Sequence, residues 1–243
     1  MKVFLKSLIL VAATSAAPSS AFAADVNWTG AYVGMFTGYS MGNVDLTSDT
    51  SRLVSSGVFD HAANGMIAGV QAGADWQLND TFVFGITGDV AYGDIGEDSS
   101  VILGAGGVPY TGTGPFNRID MSTDVNYTAT LRARAGYAFG SNLVYATGGM
   151  NILNHTGSSY VRLNGLEAHG STTQSHVGWV IGAGIERQIT EKMSVGALYL
   201  YSNSGDDRYV IDQTGAAVHG GSIQHIDLHY NPSTLRLNVN YRF

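Results

Sequence analysis

The closing ten residues, Thr234–Phe243, alternate without exception. Leu235, Leu237, Val239, Tyr241 and Phe243 lie on one face, and Thr234, Arg236, Asn238, Asn240 and Arg242 on the other. Such a period-2 pattern is a β-strand with two unlike faces. The pattern returns over 124–139, where Tyr127, Ala129, Leu131, Ala133, Ala135, Tyr137 and Phe139 alternate with Asn126, Thr128, Thr130, Arg132, Arg134 and Gly136. The arginine-bearing face is the one that constrains the fold. Asp75, Asp89 and Glu186 fall on equivalent glycine-rich faces of other strands. An arginine turned towards hydrocarbon at mid-depth costs about 2–4 kcal/mol. Several of them would exceed the ~5–15 kcal/mol that holds a domain together. Enclosed together, the same groups can pair, and an unpaired buried charge is worse than a paired one. Arg132, Arg134, Arg236, Asp75, Asp89 and Glu186 are therefore expected inside as one charge network. The apolar and aromatic face is expected outside, against lipid. A soluble barrel needs the reverse arrangement.

Eight strands of this kind can be read: Trp28–Asn43, Gly65–Gln77, Thr81–Asp94, Asp124–Phe139, Leu143–Asn154, Ser175–Gln188, Met193–Ser204 and His229–Phe243. The faces of the first and fifth are ambiguous. Tyr32 and Phe36 share a face with Gly30, Gly34 and Gly38, and "TGGM" at 147–150 suggests a bulge or close packing. Three connections are tight: Leu78–Asp80, Gly140–Asn142 and Ile189–Lys192. Four are long, at 44–64, 95–123, 155–174 and 205–228, and short and long alternate. Long irregular loops argue against a compact soluble domain. They are the ordinary surface loops of an outer-membrane barrel with short periplasmic turns. The expected fold is all-β: an eight-stranded antiparallel transmembrane β-barrel.

Backbone hydrogen bonding requires closure, because a strand edge in lipid has no water to satisfy it. At eight strands the side chains fill the interior and leave no wide channel. Aromatic residues cluster at both ends of the strands. Trp76, Phe82, Tyr137 and Phe139 sit beside the tight turns, and Tyr92 and Tyr127 beside the long loops. Two such belts are what the two membrane interfaces select.

Residues 1–23 read as a signal peptide, with Lys2 and Lys6, an apolar run "SLILVAATSAA" and Ala21-Phe22-Ala23 as the cleavage site. The barrel domain is then 24–243. Removing two lysines and no carboxylate takes the net charge from −7 to −9. That acidity excludes an electrostatic case for nucleic acid. The absence of cysteine excludes disulfides and thiolate metal sites.

The stretches "WTGAYVGMFTGYSMG", "LRARAGYAF", "YATGG", "LYLYSNSG" and the terminal "LRLNVNYRF" together resemble small alphaproteobacterial outer-membrane barrels. These are the immunogenic surface-antigen and hemin-binding proteins of the opacity-porin-like superfamily. The resemblance implies that Tyr241 and Phe243 belong to the signal read by the outer-membrane assembly machinery. It also implies a surface role, with loops meeting host molecules or hemin. One departure concerns the interior: many relatives read Glu-Tyr-Leu-Tyr where this chain has Leu198-Tyr199-Leu200-Tyr201.

No resident metal or cofactor is expected. Imidazole can ligate haem iron, and His155, His169, His219, His225 and His229 lie in or beside the long connections, as do His61 and His176. The first five are the candidate hemin ligands. No nucleophile elbow, zinc helix or phosphate loop is present. Asp227 with His229 is the lone carboxylate–imidazole pair near a rim. The expected role is a structural surface barrel, not an enzyme, with a hemin receptor or a small nonspecific pore as alternatives.

Overall fold

A computed structural model describes residues 26–48, 58–93, 96–103, 117–163, 166–203, 206–215 and 222–243. The signal-like segment 1–23 and His219 lie outside these residues, as do the side chains of His61, His225, Asp227 and His229. The strands are β1 (Gly30–Ser48), β2 (Val58–Gln77), β3 (Phe82–Gly93), β4 (Gly96–Leu103), β5 (Asn117–Phe139), β6 (Asn142–Leu163), β7 (Leu166–Gln188), β8 (Met193–Asn203), β9 (Asp206–Gly215), β10 (Ser222–Tyr230) and β11 (Ser233–Arg242).

Eight antiparallel pairings close a ring: β1–β2, β2–β3, β3–β5, β5–β6, β6–β7, β7–β8, β8–β11 and β11–β1. Beyond this ring, β4 pairs with β5 as β3 does, β9 pairs with β7 as β8 does, and β10 pairs with β1 as β11 does. Eleven strands thus form eight staves. Among the described residues no helix is long and apolar enough to cross a membrane; the crossing elements are strands.

The three tight turns gather at one end. Leu78 N donates to Phe82 O at 2.9 Å, and Asn79 Oδ1 accepts from Thr81 N and Phe82 N at 2.9 and 2.8 Å. Gly140 adopts φ +55°, a conformation that favours glycine and reverses the chain between β5 and β6. Ile189 N donates to Met193 O at 2.9 Å, and Thr190 Oγ1 accepts from Met193 N.

At the other end the four long connections carry strand of their own. β5, β6 and β7 run for 23, 22 and 23 residues, whereas about 9–11 tilted residues cross a bilayer. The stretch read as the loop 155–174 is mostly strand, and the other three long connections contain strand as well. Outside lipid both faces of a hairpin meet water, so the hydropathy alternation that marks a strand disappears. The backbone ladder still gains by continuing. Polar side chains take over on the wall there: Asn126 Nδ2 donates to Asn154 Oδ1 at 2.8 Å, Asn154 Nδ2 to Ser175 Oγ at 2.8 Å, and Thr156 bonds Thr173 at 2.9 Å.

The outer wall is apolar. Leu131, Leu237, Val70, Ile86, Val177 and Ile181 are exposed on it. The turn-end belt holds Trp76, Phe82, Tyr137, Phe139, Tyr241 and Phe243, with edge-on ring contacts Phe82–Tyr137 at 5.9 Å and Tyr241–Phe243 at 5.5 Å. The opposite belt holds Tyr92 and Tyr127, 6.4 Å apart, and Tyr201 beside Trp179, and gains Tyr39 and Tyr199.

Candidate functional site: the barrel interior

The inner wall has to hold long charged side chains within a narrow cylinder, and the register shows how. Arg134 stands opposite Gly85, Arg132 opposite Gly149, Asp75 between Gly30 and Gly85, Glu186 opposite Gly196, and Arg236 opposite Gly38. Each of these five side chains therefore has a neighbour with none. The inner aromatics use the same device. Cβ atoms placed on Gly69, Gly73 and Gly184 would stand 2.5, 2.5 and 2.6 Å from the rings of Phe36, Tyr32 and Tyr145. This settles the two ambiguous strands. Tyr32, Phe36 and Ser40 of β1 point inward, as do Leu143, Tyr145, Thr147, Asn151, Leu153 and His155 of β6. At "TGGM" the result is close packing, since Gly149 lies hard against the backbone of β5; the register shift falls instead between Val125 and Tyr127.

From the turn end upward the interior is layered. The floor is apolar: Trp28, Val83, Ala138 and Leu143 are buried together, with Val26 packed against them. Trp28 N donates to Gln77 Oε1 at 2.8 Å, and the Arg242 guanidinium lies 5.6 Å from the Trp28 ring and donates to its carbonyl. Leu198 and Leu200 join this cluster along the wall. The position where relatives were expected to carry a carboxylate is here part of an apolar strip.

Above the floor, Asp75 accepts from Arg134 Nε at 2.7 Å, from Arg134 Nη2, and from Arg242 Nη2 at 2.8 Å. Arg134 Nη1 also donates to Glu186 Oε2 at 3.0 Å. The other Glu186 oxygen accepts from Ser194 Oγ at 2.5 Å and Asn240 Nδ2 at 3.0 Å, and Asn240 Oδ1 accepts from Gln71 Nε2 at 2.6 Å. The Arg134 guanidinium sits between the rings of Tyr32 and Tyr145, at 4.9 and 5.1 Å. The next layer centres on Asp89. It accepts from Arg132 Nη2 at 2.6 Å, from Arg236 Nη1 at 2.9 Å and from Thr130 Oγ1. Arg236 also stacks on Phe36 at 4.4 Å.

The structure thus brings Arg134, Asp75 and Glu186 together in one group, and Arg132, Arg236 and Asp89 in the next. Sequence reasoning left out Arg242, although its position on the Arg236 face of the terminal strand was a usable signal. It also left out Tyr32, Tyr145 and Trp28; the placing of aromatics outside hid them. None of the three carboxylate side chains touches solvent, each having 0% exposure.

The candidate hemin ligands are scattered. His155 is buried on the inner wall against His176 of β7, and His169 is exposed on β7. The backbones of His225 and His229 lie on β10. His155 lies just beyond the Tyr127 belt, where the outer wall turns polar, so it is past the lipid-crossing part of β6. Burial, and then the neighbouring His176, push its pKa down to about 4. Among the described residues no three His, Asp or Glu side chains converge as a metal cluster.

Comparison with known proteins agrees with this architecture. The chain is 28% identical to the 31 kDa outer-membrane immunogenic protein of Brucella melitensis, over 98% of this chain and 100% of that one. It is 24% identical to the 25 kDa outer-membrane immunogenic protein of Brucella abortus, over 98% and 99%. Among solved structures, the outer membrane protein OprG from Pseudomonas aeruginosa superposes with a TM-score of 0.51 at 12% identity, covering 90% of this chain and 98% of that one, which is a likeness of fold. The model of the outer membrane protein β-barrel domain matches residues 9–243. The chain, an inside-out cylinder with paired charges within and aromatic belts without, belongs to the outer membrane protein β-barrel family and is a protein of the outer membrane.

Proposed function

We propose that this protein is a closed, non-catalytic surface barrel that anchors extracellular β-hairpins to the outer membrane, supporting the envelope and presenting those hairpins to host molecules as a surface antigen. The observation that carries this reading is the sealed interior. The carboxylates of the charge network are out of solvent, their arginine partners are buried, and an apolar floor lies beneath them. A conducting pore needs a hydrated path past these layers. The immunogenic naming of the Brucella relatives supports the antigen role. Single-channel recording in planar bilayers tests it: the refolded barrel is expected to be silent, and reproducible unitary steps would replace this reading with the pore.

A second reading is favoured by the exposure of His169 on a hairpin beyond the membrane. That side chain is placed to meet hemin arriving from outside. A hemin difference spectrum that is lost in His169→Ala supports it, and an identical spectrum in the variant removes it.

A further inference from the structure

Just past the Tyr127 belt the outer wall keeps its facing but changes its chemistry. The change starts at the register shift between Val125 and Tyr127. A bulge inserts an extra residue and re-aims a side chain. Asn126 and Tyr127 are both exposed here, although neighbours on a regular strand point to opposite sides. Asn126 Nδ2 thereby reaches Asn154 Oδ1 and Thr156 Oγ1, at 2.8 and 3.0 Å. The register carries this face across to β7: Asn154 pairs with Ser175, Thr156 with Thr173, and Ser158 with Ser171. Ser175, Thr173 and Ser171 are exposed, on the face that carries Val177, Trp179 and Ile181 lower down. On β5, the exposed Asp124 stands opposite Thr156.

We propose that this face binds the sugar headgroup of an outer-leaflet glycolipid. Continuity with the lipid-facing wall identifies the occupant. The same faces of β5, β6 and β7 meet acyl chains below the belt, so the group joined to those chains lies against them above it. The dimensions fit a short oligosaccharide laid along the wall: from Asn154 to Tyr160 the array runs about 20 Å, and its three strands span about 10 Å. The chemistry fits too. Amide, hydroxyl and carboxylate groups donate and accept as sugar hydroxyls require. The Tyr127 ring at the base, opposite Asn154, offers an apolar face to the C–H side of a sugar. Cross-strand bonds already hold Asn126, Asn154, Ser175, Thr156 and Thr173 in place, which lowers the ordering cost of binding. The inference rests on the outer-membrane placement and is independent of whether the barrel conducts.

Native mass spectrometry of the refolded barrel in micelles provides the test. The probes are lipopolysaccharide with its core sugars and lipid A without them. The expected result is retention of the sugar-bearing form at least tenfold better than lipid A, with the preference unchanged from low to high salt. In Asn154→Ala/Thr156→Val the preference should fall below twofold. Ser171→Ile, which adds apolar bulk to the array and breaks none of the bonds above, should do the same. Heat-modifiable gel mobility verifies that each variant is folded. Equal retention of the two lipids by the parent would overturn the proposal, as would an undiminished preference in both variants. A preference lost at high salt would place the recognition on phosphate instead and overturn it as well. Core oligosaccharide freed of lipid A that competes as strongly as the whole glycolipid would replace the leaflet's own lipid with a soluble glycan.

Discussion

Asp75 neutralises two guanidinium groups at once, those of Arg134 and Arg242. Its removal leaves both without that partner in a place water does not reach. Breaking a buried ion pair from one side typically costs about 3–5 kcal/mol, because the remaining charge is stranded. Asp75→Asn is therefore expected to lose several kcal/mol of stability in a urea unfolding series on refolded protein. Lys192, with its ammonium 5.9 Å from the Tyr241 ring at the exposed turn end, gives the contrast: Lys192→Ala should move stability by less than about 1 kcal/mol. The carboxylates, arginines and face assignments behind the first prediction could be read from alternation alone. The Arg134 sandwich between Tyr32 and Tyr145 could not, because a ring on a glycine-rich face signals neither inside nor outside until the opposing strand is known.

At the scale of the strand, the interior depends on empty inner positions as much as on filled ones. Gly184 of β7 lies beneath the Tyr145 ring and opposite Leu198. A valine there collides with a ring that is packed on Arg134, so the network has to shift with it. Overpacking of this kind typically costs about 1–3 kcal/mol. Gly184→Val is expected to lower the refolding yield and the urea midpoint, while Gly157→Val, with open space around its Cβ position, leaves both nearly unchanged. Strand existence was legible wherever one face meets lipid. It was not legible in the hairpin extensions of β5, β6 and β7, where polar residues line both faces and the ladder itself sustains the strand.

For the whole molecule, the solvent of the outer wall is hydrocarbon, and a single charge reports it. Leu131 is exposed on β5, one residue from the enclosed Arg132. Leu131→Arg should destabilise the barrel by about 2–4 kcal/mol in phospholipid vesicles. The measurement is the unfolding free energy in vesicles. A change below 0.5 kcal/mol would mean that this wall does not face lipid at mid-depth. The closed ring also explains the tolerance for long, polar hairpins outside the membrane. All eight staves are paired on both sides within lipid, so no edge is left there for the hairpins to protect.

Sequence by itself determined the inside-out sense of this barrel, its stave number and the chemistry of its lining, because a period of two tied to charge and lipid leaves one low-energy arrangement. Tertiary structure alone decided which guanidinium meets which carboxylate, that Trp28 and Leu143 close the floor, and that His155 lies against His176. Those contacts join residues up to 214 positions apart, as in the bond from Arg242 to Trp28. Stave order and shear create them, and neither is written in any local pattern.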